Sequence, residues 1–101
     1  MLKGKTAVVT GGSRGIGAAI CRRFAENGAD VALLYAGNAE LAEALVSELT
    51  AIGAKAKSYR CDVSDLPRVT EVFREIAADF GGVDILVNNA GVTCDKLLMG
   101  M

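Results

Sequence analysis

The chain has no histidine and no tryptophan, and it contains one proline and three cysteines among 101 residues. Without histidine, neither a Ser-His-Asp or Cys-His nucleophile nor a histidine general base can be assembled from these residues. Cys21, Cys61 and Cys94 are too scattered for a zinc site, and no imidazole exists to complete one. They read as three thiols of a reducing compartment. Blocks of like charge are missing too: 11 Lys and Arg stand against 12 Asp and Glu, for a net charge of −1, and neither sign forms a run. Nothing in that balance favours electrostatic capture of nucleic acid or of an anionic membrane. No apolar stretch approaches the ~20 residues of a membrane span, and the N-terminus lacks the basic segment and apolar core of a signal peptide. The expectation is a cytoplasmic protein. Low-complexity and Pro-rich segments are also absent, so no linker or second domain is expected.

Glycine and apolar residues are abundant, with 12 glycines and 51% hydrophobic residues. The chain is organised around Thr10-Gly11-Gly12-Ser13-Arg14-Gly15-Ile16-Gly17. An apolar run precedes this stretch, and residues 18–27 follow with Ile20, Phe24 and Ala25 at helical spacing, so the glycines lie where a strand turns into a helix. A helix start leaves four backbone N–H groups unpaired and carries the positive end of the macrodipole, which suits a phosphate. Glycine lets the phosphate approach the backbone and supplies positive φ. The spacing is not that of a Walker loop, because Gly17 is followed by Ala18 and Ala19, and it departs from Gly-x-Gly-x-x-Gly for the same reason. It reads Thr-Gly-x-x-x-Gly-x-Gly. In this the chain resembles the short-chain dehydrogenase/reductase family.

Taken in order, Thr6–Thr10 is a first strand whose apolar positions are consecutive, the mark of a strand buried on both faces of a parallel sheet. The first helix is expected to end near Asn27-Gly28. Residues 31–35 repeat the continuous apolar pattern as a second strand. Leu41, Leu45, Leu49 and Ile52 line one face of a second helix closed by Gly53. Residues 55–60 form a short, more polar edge strand. Ser64 and Asp65 offer caps for a third helix with Pro67 in its first turn, Val69, Phe73, Ile76, Ala77 and Phe80 on its apolar face, and Gly81-Gly82 at its end. Residues 83–87 make a fourth strand. The result is an α/β fold, half of a doubly wound Rossmann fold in the order βαβαβαβ, with parallel strand order 3-2-1-4 by resemblance to such folds. Residues 1–101 form a single half-domain.

An acid at the end of the second strand commonly holds the ribose of NAD. Here that position reads Tyr35-Ala36-Gly37-Asn38, with no carboxylate, while Arg14 offers a cation for a 2′-phosphate. Both point to NADP(H). Asn38 is either a helix N-cap or a neutral donor to the cofactor. Asp62 and Val63 follow the third strand. In the resembling family an Asp there accepts a hydrogen bond from the adenine amino group and the next backbone reads the ring; alternatively Asp62 caps the turn into Ser64. Asn88-Asn89-Ala90-Gly91 is a second family signature, whose small residues admit ribose and nicotinamide. The cofactor-binding set is therefore Gly11, Ser13, Arg14, Gly15, Ile16, Gly17, Asn38, Asp62, Val63, Asn89, Ala90 and Gly91.

The opening and residues 91–99 look like the 3-oxoacyl-(acyl-carrier-protein) reductase branch of the family. That branch implies reduction of a β-ketoacyl thioester on acyl carrier protein by NADPH in fatty-acid synthesis. The family's catalytic Tyr-x-x-x-Lys is not matched, since position 39 is Ala and position 63 is Val, so no catalytic residue carries over. The chain reads as the N-terminal, NADP-binding half of a longer reductase, inactive alone. A non-catalytic nucleotide-binding or self-assembling module is the alternative, and a methyltransferase-like binder a distant third. With Ile85-Leu86-Val87 uniformly apolar and no guarding charge or proline, a homo-oligomer built on residues 84–88 and 96–101 is expected.

Overall fold

Every residue of β1 (Thr6–Thr10) is buried, which requires cover on both faces of the strand and a backbone partner on both sides. The chain supplies both. In the computed structural model, which describes residues 3–11, 15–62 and 64–88, β1 is followed by α1 (Gly15–Glu26), β2 (Asp30–Tyr35), α2 (Ala39–Ile52), β3 (Ala56–Arg60), α3 (Leu66–Phe80) and β4 (Ile85–Asn88). The strands form one parallel sheet in the order β3-β2-β1-β4. This is the order expected from the sequence, and it puts β1 between β2 and β4.

Two apolar layers sandwich the sheet. On one face, Val8, Ala32, Leu34 and Tyr59 pack with Val69, Val72, Phe73 and Ile76 of α3. On the other, Val9, Val31 and Leu33 pack with Ala18, Cys21 and Ala25 of α1 and with Ala42, Leu45 and Leu49 of α2. Alternation along each strand sends successive side chains to opposite layers, so consecutive apolar residues are all used. Cys21 and Cys61 are buried and not joined in a disulfide. Burial pushes the Cys21 thiol up to about 12, so it packs as a small neutral hydrophobe. Cys94 lies outside the described residues.

The helix faces differ from the expectation in detail. On α2 the buried positions are Ala42, Leu45 and Leu49, whereas Leu41 and Ile52 are 40% and 44% exposed. These two occupy the first and last turns of the helix. On α3 Val72 is fully buried and Ala77 is exposed, which rotates the apolar face toward Val69, Val72, Phe73 and Ile76. Caps fall as expected. Asn38 accepts from the Leu41 amide at 3.2 Å and Asp65 from the Arg68 amide at 3.3 Å, while Gly53 and Gly81 close the two helices in the left-handed region.

Polar contacts fix the register of the sheet. The Thr6 amide donates to Asp84 Oδ2 at 2.8 Å and the Asp84 amide to the Thr6 carbonyl at 2.9 Å, so β4 starts level with β1. At the other end Thr10 Oγ1 donates to the Val87 carbonyl at 3.3 Å. Asp30 accepts the Lys55 amide at 3.1 Å and sets the start of β3 against β2. β3 is the outer strand on its side, and α3 straps it down: Lys57 Nζ lies 2.8 Å and Tyr59 Oη 2.6 Å from Asp79 Oδ2, while Lys55 donates to the Asp79 carbonyl and sits 4.8 Å from the Phe80 ring centre. Lys57 on this short edge strand and Lys55 just before it discourage pairing with other chains.

Burial, and then the hydrogen bond to Asp79, raise the Tyr59 phenol above its ordinary value of 10. A raised phenol favours the folded state fully below pH 10, and this contribution disappears as the pH climbs from there through the folded value. Tyr59→Phe is expected to lower stability at neutral pH by about 1 kcal/mol, as for one hydrogen bond. The gap between the two proteins is expected to close as pH rises past 10. Urea midpoints at pH 7, 9 and 11 measure it, and a gap that stays constant across this range would refute the Tyr59–Asp79 contact.

Candidate functional site

Because the strands are parallel and in register, their carboxyl ends lie along one edge. Thr10 stands opposite Leu34 on one side and Asn88 on the other, and Tyr35 stands opposite Arg60. Among the described residues the chain leaves the sheet there three times, at Gly11, at Ala36 and at Cys61, and β4 ends level with them at Asn88. Between β1 and β4 the order of connection reverses, and in open parallel sheets the crevice at such a reversal is where ligands bind.

The two glycines described at this turn and the first-turn amides of α1 suit an anion. Gly11 has φ 62° and Gly15 φ 60°, values at which an L side chain is strained. Space around Gly15 is open, so its backbone conformation, and not crowding, asks for glycine. From Gly15 the chain enters α1 directly, and the amides of Gly15, Ile16 and Gly17 belong to the first turn, whose N–H groups lack intrahelical acceptors. No acidic side chain occupies that turn. Ile16 is 74% exposed beside it, whereas Gly17 is buried against the sheet.

The other expected positions divide into those the structure describes and those it does not. Asn38 is at the exit of β2, and its Oδ1 is committed to capping α2, which leaves the amide nitrogen as a donor. Asp62 lies at the exit of β3. Its Oδ1 accepts from the Ser64 amide at 3.0 Å and the Ser64 hydroxyl at 2.7 Å, and these bonds hold its carboxyl below the usual carboxylate range. The turn reading of Asp62 is therefore realised; its ionised carboxylate remains an acceptor at the ligand edge. Gly11, Gly15, Ile16, Gly17, Asn38 and Asp62 all fall on this edge. Ser13, Arg14, Val63, Asn89, Ala90 and Gly91 lie outside the described residues. The register contacts of Thr6, Thr10 and Asp84, which hold the edge level, do not follow from the motif spacing; a polar residue at each end of a buried apolar strand is the available signal.

At the exit of β2, Tyr35 is half-buried, and residues 36–38 are exposed and carry no carboxylate. The nearest acid in the chain is Glu40, in the first turn of α2. Among the described residues no cluster of His, Cys, Asp and Glu could hold a metal ion, and no helix is long and apolar enough to cross a membrane.

The sequence profile of the short chain dehydrogenase family matches residues 5–99. The 3-oxoacyl-[acyl-carrier-protein] reductase FabG of Staphylococcus aureus (strain N315) is 47% identical over 97 residues, which cover 96% of this chain and 39% of that protein. Sorbose reductase SOU1 of Candida albicans is 52% identical over 92 residues, 90% of this chain and 32% of that protein. The chain thus spans well under half the length of the curated relatives it matches. Among solved structures, a blue fluorescent protein from a metagenomic library in complex with NADPH superposes with a TM-score of 0.86 at 48% identity, covering 90% of this chain and 38% of that one. An NAD+-bound xylitol dehydrogenase superposes with a TM-score of 0.85 at 38% identity, covering 90% and 35%. The glycine turn at the head of α1, the parallel order β3-β2-β1-β4 and these matches together establish that the chain belongs to the short-chain dehydrogenase/reductase family.

Proposed function

We propose that this chain is the NADP(H)-binding portion of an NADPH-dependent 3-oxoacyl-(acyl-carrier-protein) reductase, which transfers hydride to a β-ketoacyl thioester in fatty-acid synthesis in the cytoplasm. The observation that carries the cofactor assignment is the exit of β2, where Tyr35-Ala36-Gly37-Asn38 offers no carboxylate to repel a 2′-phosphate. Likeness to reductases named for that reaction, at 45–47% identity, supports the substrate.

In this reading the first-turn amides of α1 take the pyrophosphate, Arg14 the 2′-phosphate, Asp62 and Val63 the adenine, and Asn89, Ala90 and Gly91 the nicotinamide ribose. The cofactor, when bound, supplies the hydride. The residues of this chain bind and orient it: the backbone of the glycine turn neutralises phosphate charge without a flexible side chain, and the apolar β1 and β4 keep the strand ends level beneath it. None of the assigned residues protonates the substrate. Proton transfer belongs to groups beyond the assigned set.

Replacing Arg14 by Ala is expected to weaken NADP(H) binding by ~1.5–3 kcal/mol, the size of a charge-assisted contact, and to leave NAD(H) nearly unchanged. Calorimetric titration with both cofactors reads this, and equal losses would refute the role. The full-length gene product is expected to oxidise NADPH with an acetoacetyl thioester and to do so far more slowly with sorbose. The reverse preference would move the protein to the sugar reductases.

We also propose that chains of these 101 residues self-associate through β4 and residues 96–101. Among the described residues β4 pairs with β1 alone, and Ile85, Leu86 and Val87 are only half-buried although uniformly apolar. A two-fold antiparallel pairing of β4 strands would close that edge. Light scattering is expected to give a dimer or larger assembly, and a monodisperse monomer at high concentration would overturn it.

A further inference from the structure

The carboxyl end of β3 holds a cation that the site described above does not use. Arg60 is the last residue of β3 and is exposed. Among the described residues its guanidinium has no carboxylate within ion-pairing distance, whereas the neighbouring cations are occupied: Lys57 pairs with Asp79, Lys55 donates to the Asp79 carbonyl, and Arg68 Nη1 binds Glu75 at 3.2 Å. The backbone at Arg60 is fixed, because its carbonyl accepts from Arg68 Nε at 3.2 Å and Nη2 at 3.1 Å.

Strand parity decides which way Arg60 projects. Tyr59 is 4% exposed and belongs to the layer under α3. Successive residues of a strand point to opposite faces, so Arg60 lies on the α2 face. Ser58, two residues earlier on that face, confirms the parity by donating to Glu43 of α2 at 3.0 Å. The register sets Arg60 beside Tyr35, one strand spacing away at ~4.8 Å, and Tyr35 packs against the same α1 and α2 layer. Arg60 and Tyr35 therefore share one face and one level at the ligand edge, immediately before the acid-free exit at residues 36–38.

That exit is where a dinucleotide-binding fold holds the 2′-position of the adenosine ribose. The nearby electrostatics suit an anion. The positive end of the α2 macrodipole opens there, and the acids near the exits of β2 and β3 are Glu40 on α2, exposed, Glu43, which accepts from Ser58, Asp62, which accepts from Ser64, and Asp65, which caps α3, while Glu48 farther along α2 pairs with Arg22. We propose that Arg60 is a specificity-determining residue for the 2′-phosphorylated nicotinamide cofactor, reaching the phosphate from the β3 side of the β2 exit. Guanidinium suits the role because its fork can meet two phosphate oxygens at once. The inference rests on the NADP(H) reading above and adds a second, independent cation to it.

The test is calorimetric titration of the full chain with NADP+, NAD+ and adenosine 2′,5′-bisphosphate. Arg60→Ala is expected to weaken NADP+ and the bisphosphate about five- to tenfold and NAD+ less than about twofold, with the difference shrinking at high salt. Arg60→Lys is expected to recover part of the loss. An unchanged thermal midpoint shows that the exposed substitution leaves the fold intact. If the unsubstituted chain prefers NADP+ and Arg60→Ala keeps that preference, or weakens NAD+ equally, Arg60 is overturned while the cofactor assignment stands. If the unsubstituted chain shows no preference for NADP+, both fall.

Discussion

The constraint on which the structure depends is the complete burial of β1. A strand covered on both faces must bond to a neighbour on each edge, since no water reaches its amides and carbonyls, and an unpaired buried group costs about 1–3 kcal/mol. β2 and β4 meet that demand, and they do so in register because Asp84 and Thr6 join at one end and Thr10 and Val87 at the other. A slip of one residue would exchange the two faces of β4 and put its side chains in the wrong layer. The level carboxyl edge follows from that register, and the ligand site follows from the level edge.

What could be read from the sequence was whatever is decided locally. The continuous apolar runs at 6–10 and 31–35 announce buried parallel strands, because only a doubly covered strand has use for consecutive apolar residues. Glycines at 53 and 81 stop helices for reasons internal to the chain. Which residues of an amphipathic helix touch the sheet is set from outside, by the rotation of the helix on its partner. Val72 is buried and Ala77 exposed because α3 turns its face toward Tyr59 and Leu34, which periodicity alone does not fix. Leu41 and Ile52 fit the apolar stripe of α2 yet lie in its first and last turns and are exposed. Asp62 showed a similar limit: both roles were chemically open, and the position of Ser64 decided the turn contact.

The two edges of the sheet are treated differently, and physical reasons separate them. β3 is short and basic, and α3 holds it through Asp79, which gathers Lys57 and Tyr59 and is itself pushed to lower pKa by Lys57 first and Tyr59 second. That arrangement protects an edge meant to face water. β4 carries no such device: Ile85, Leu86 and Val87 are as apolar as β1, a composition suited to an interior strand. The asymmetry was legible from composition alone, since Lys57 and Arg60 stand on β3 and no basic residue on β4.

In the proposed reading, phosphate binding and cofactor choice are carried by different parts of the chain. The pyrophosphate would meet backbone amides at the head of α1 and glycines with positive φ, features indifferent to which dinucleotide is bound. An NADPH complex and an NAD+ complex both superpose on the chain, with TM-scores of 0.86 and 0.85. In that reading the choice lies in side chains at the strand exits, where one charge-assisted contact of about 1.5–3 kcal/mol changes affinity by roughly 10- to 150-fold. Residues 36–38 after β2 and Arg60 at the end of β3 are exposed, so charge there can change while the buried Val8, Leu34 and Phe73 hold the same architecture.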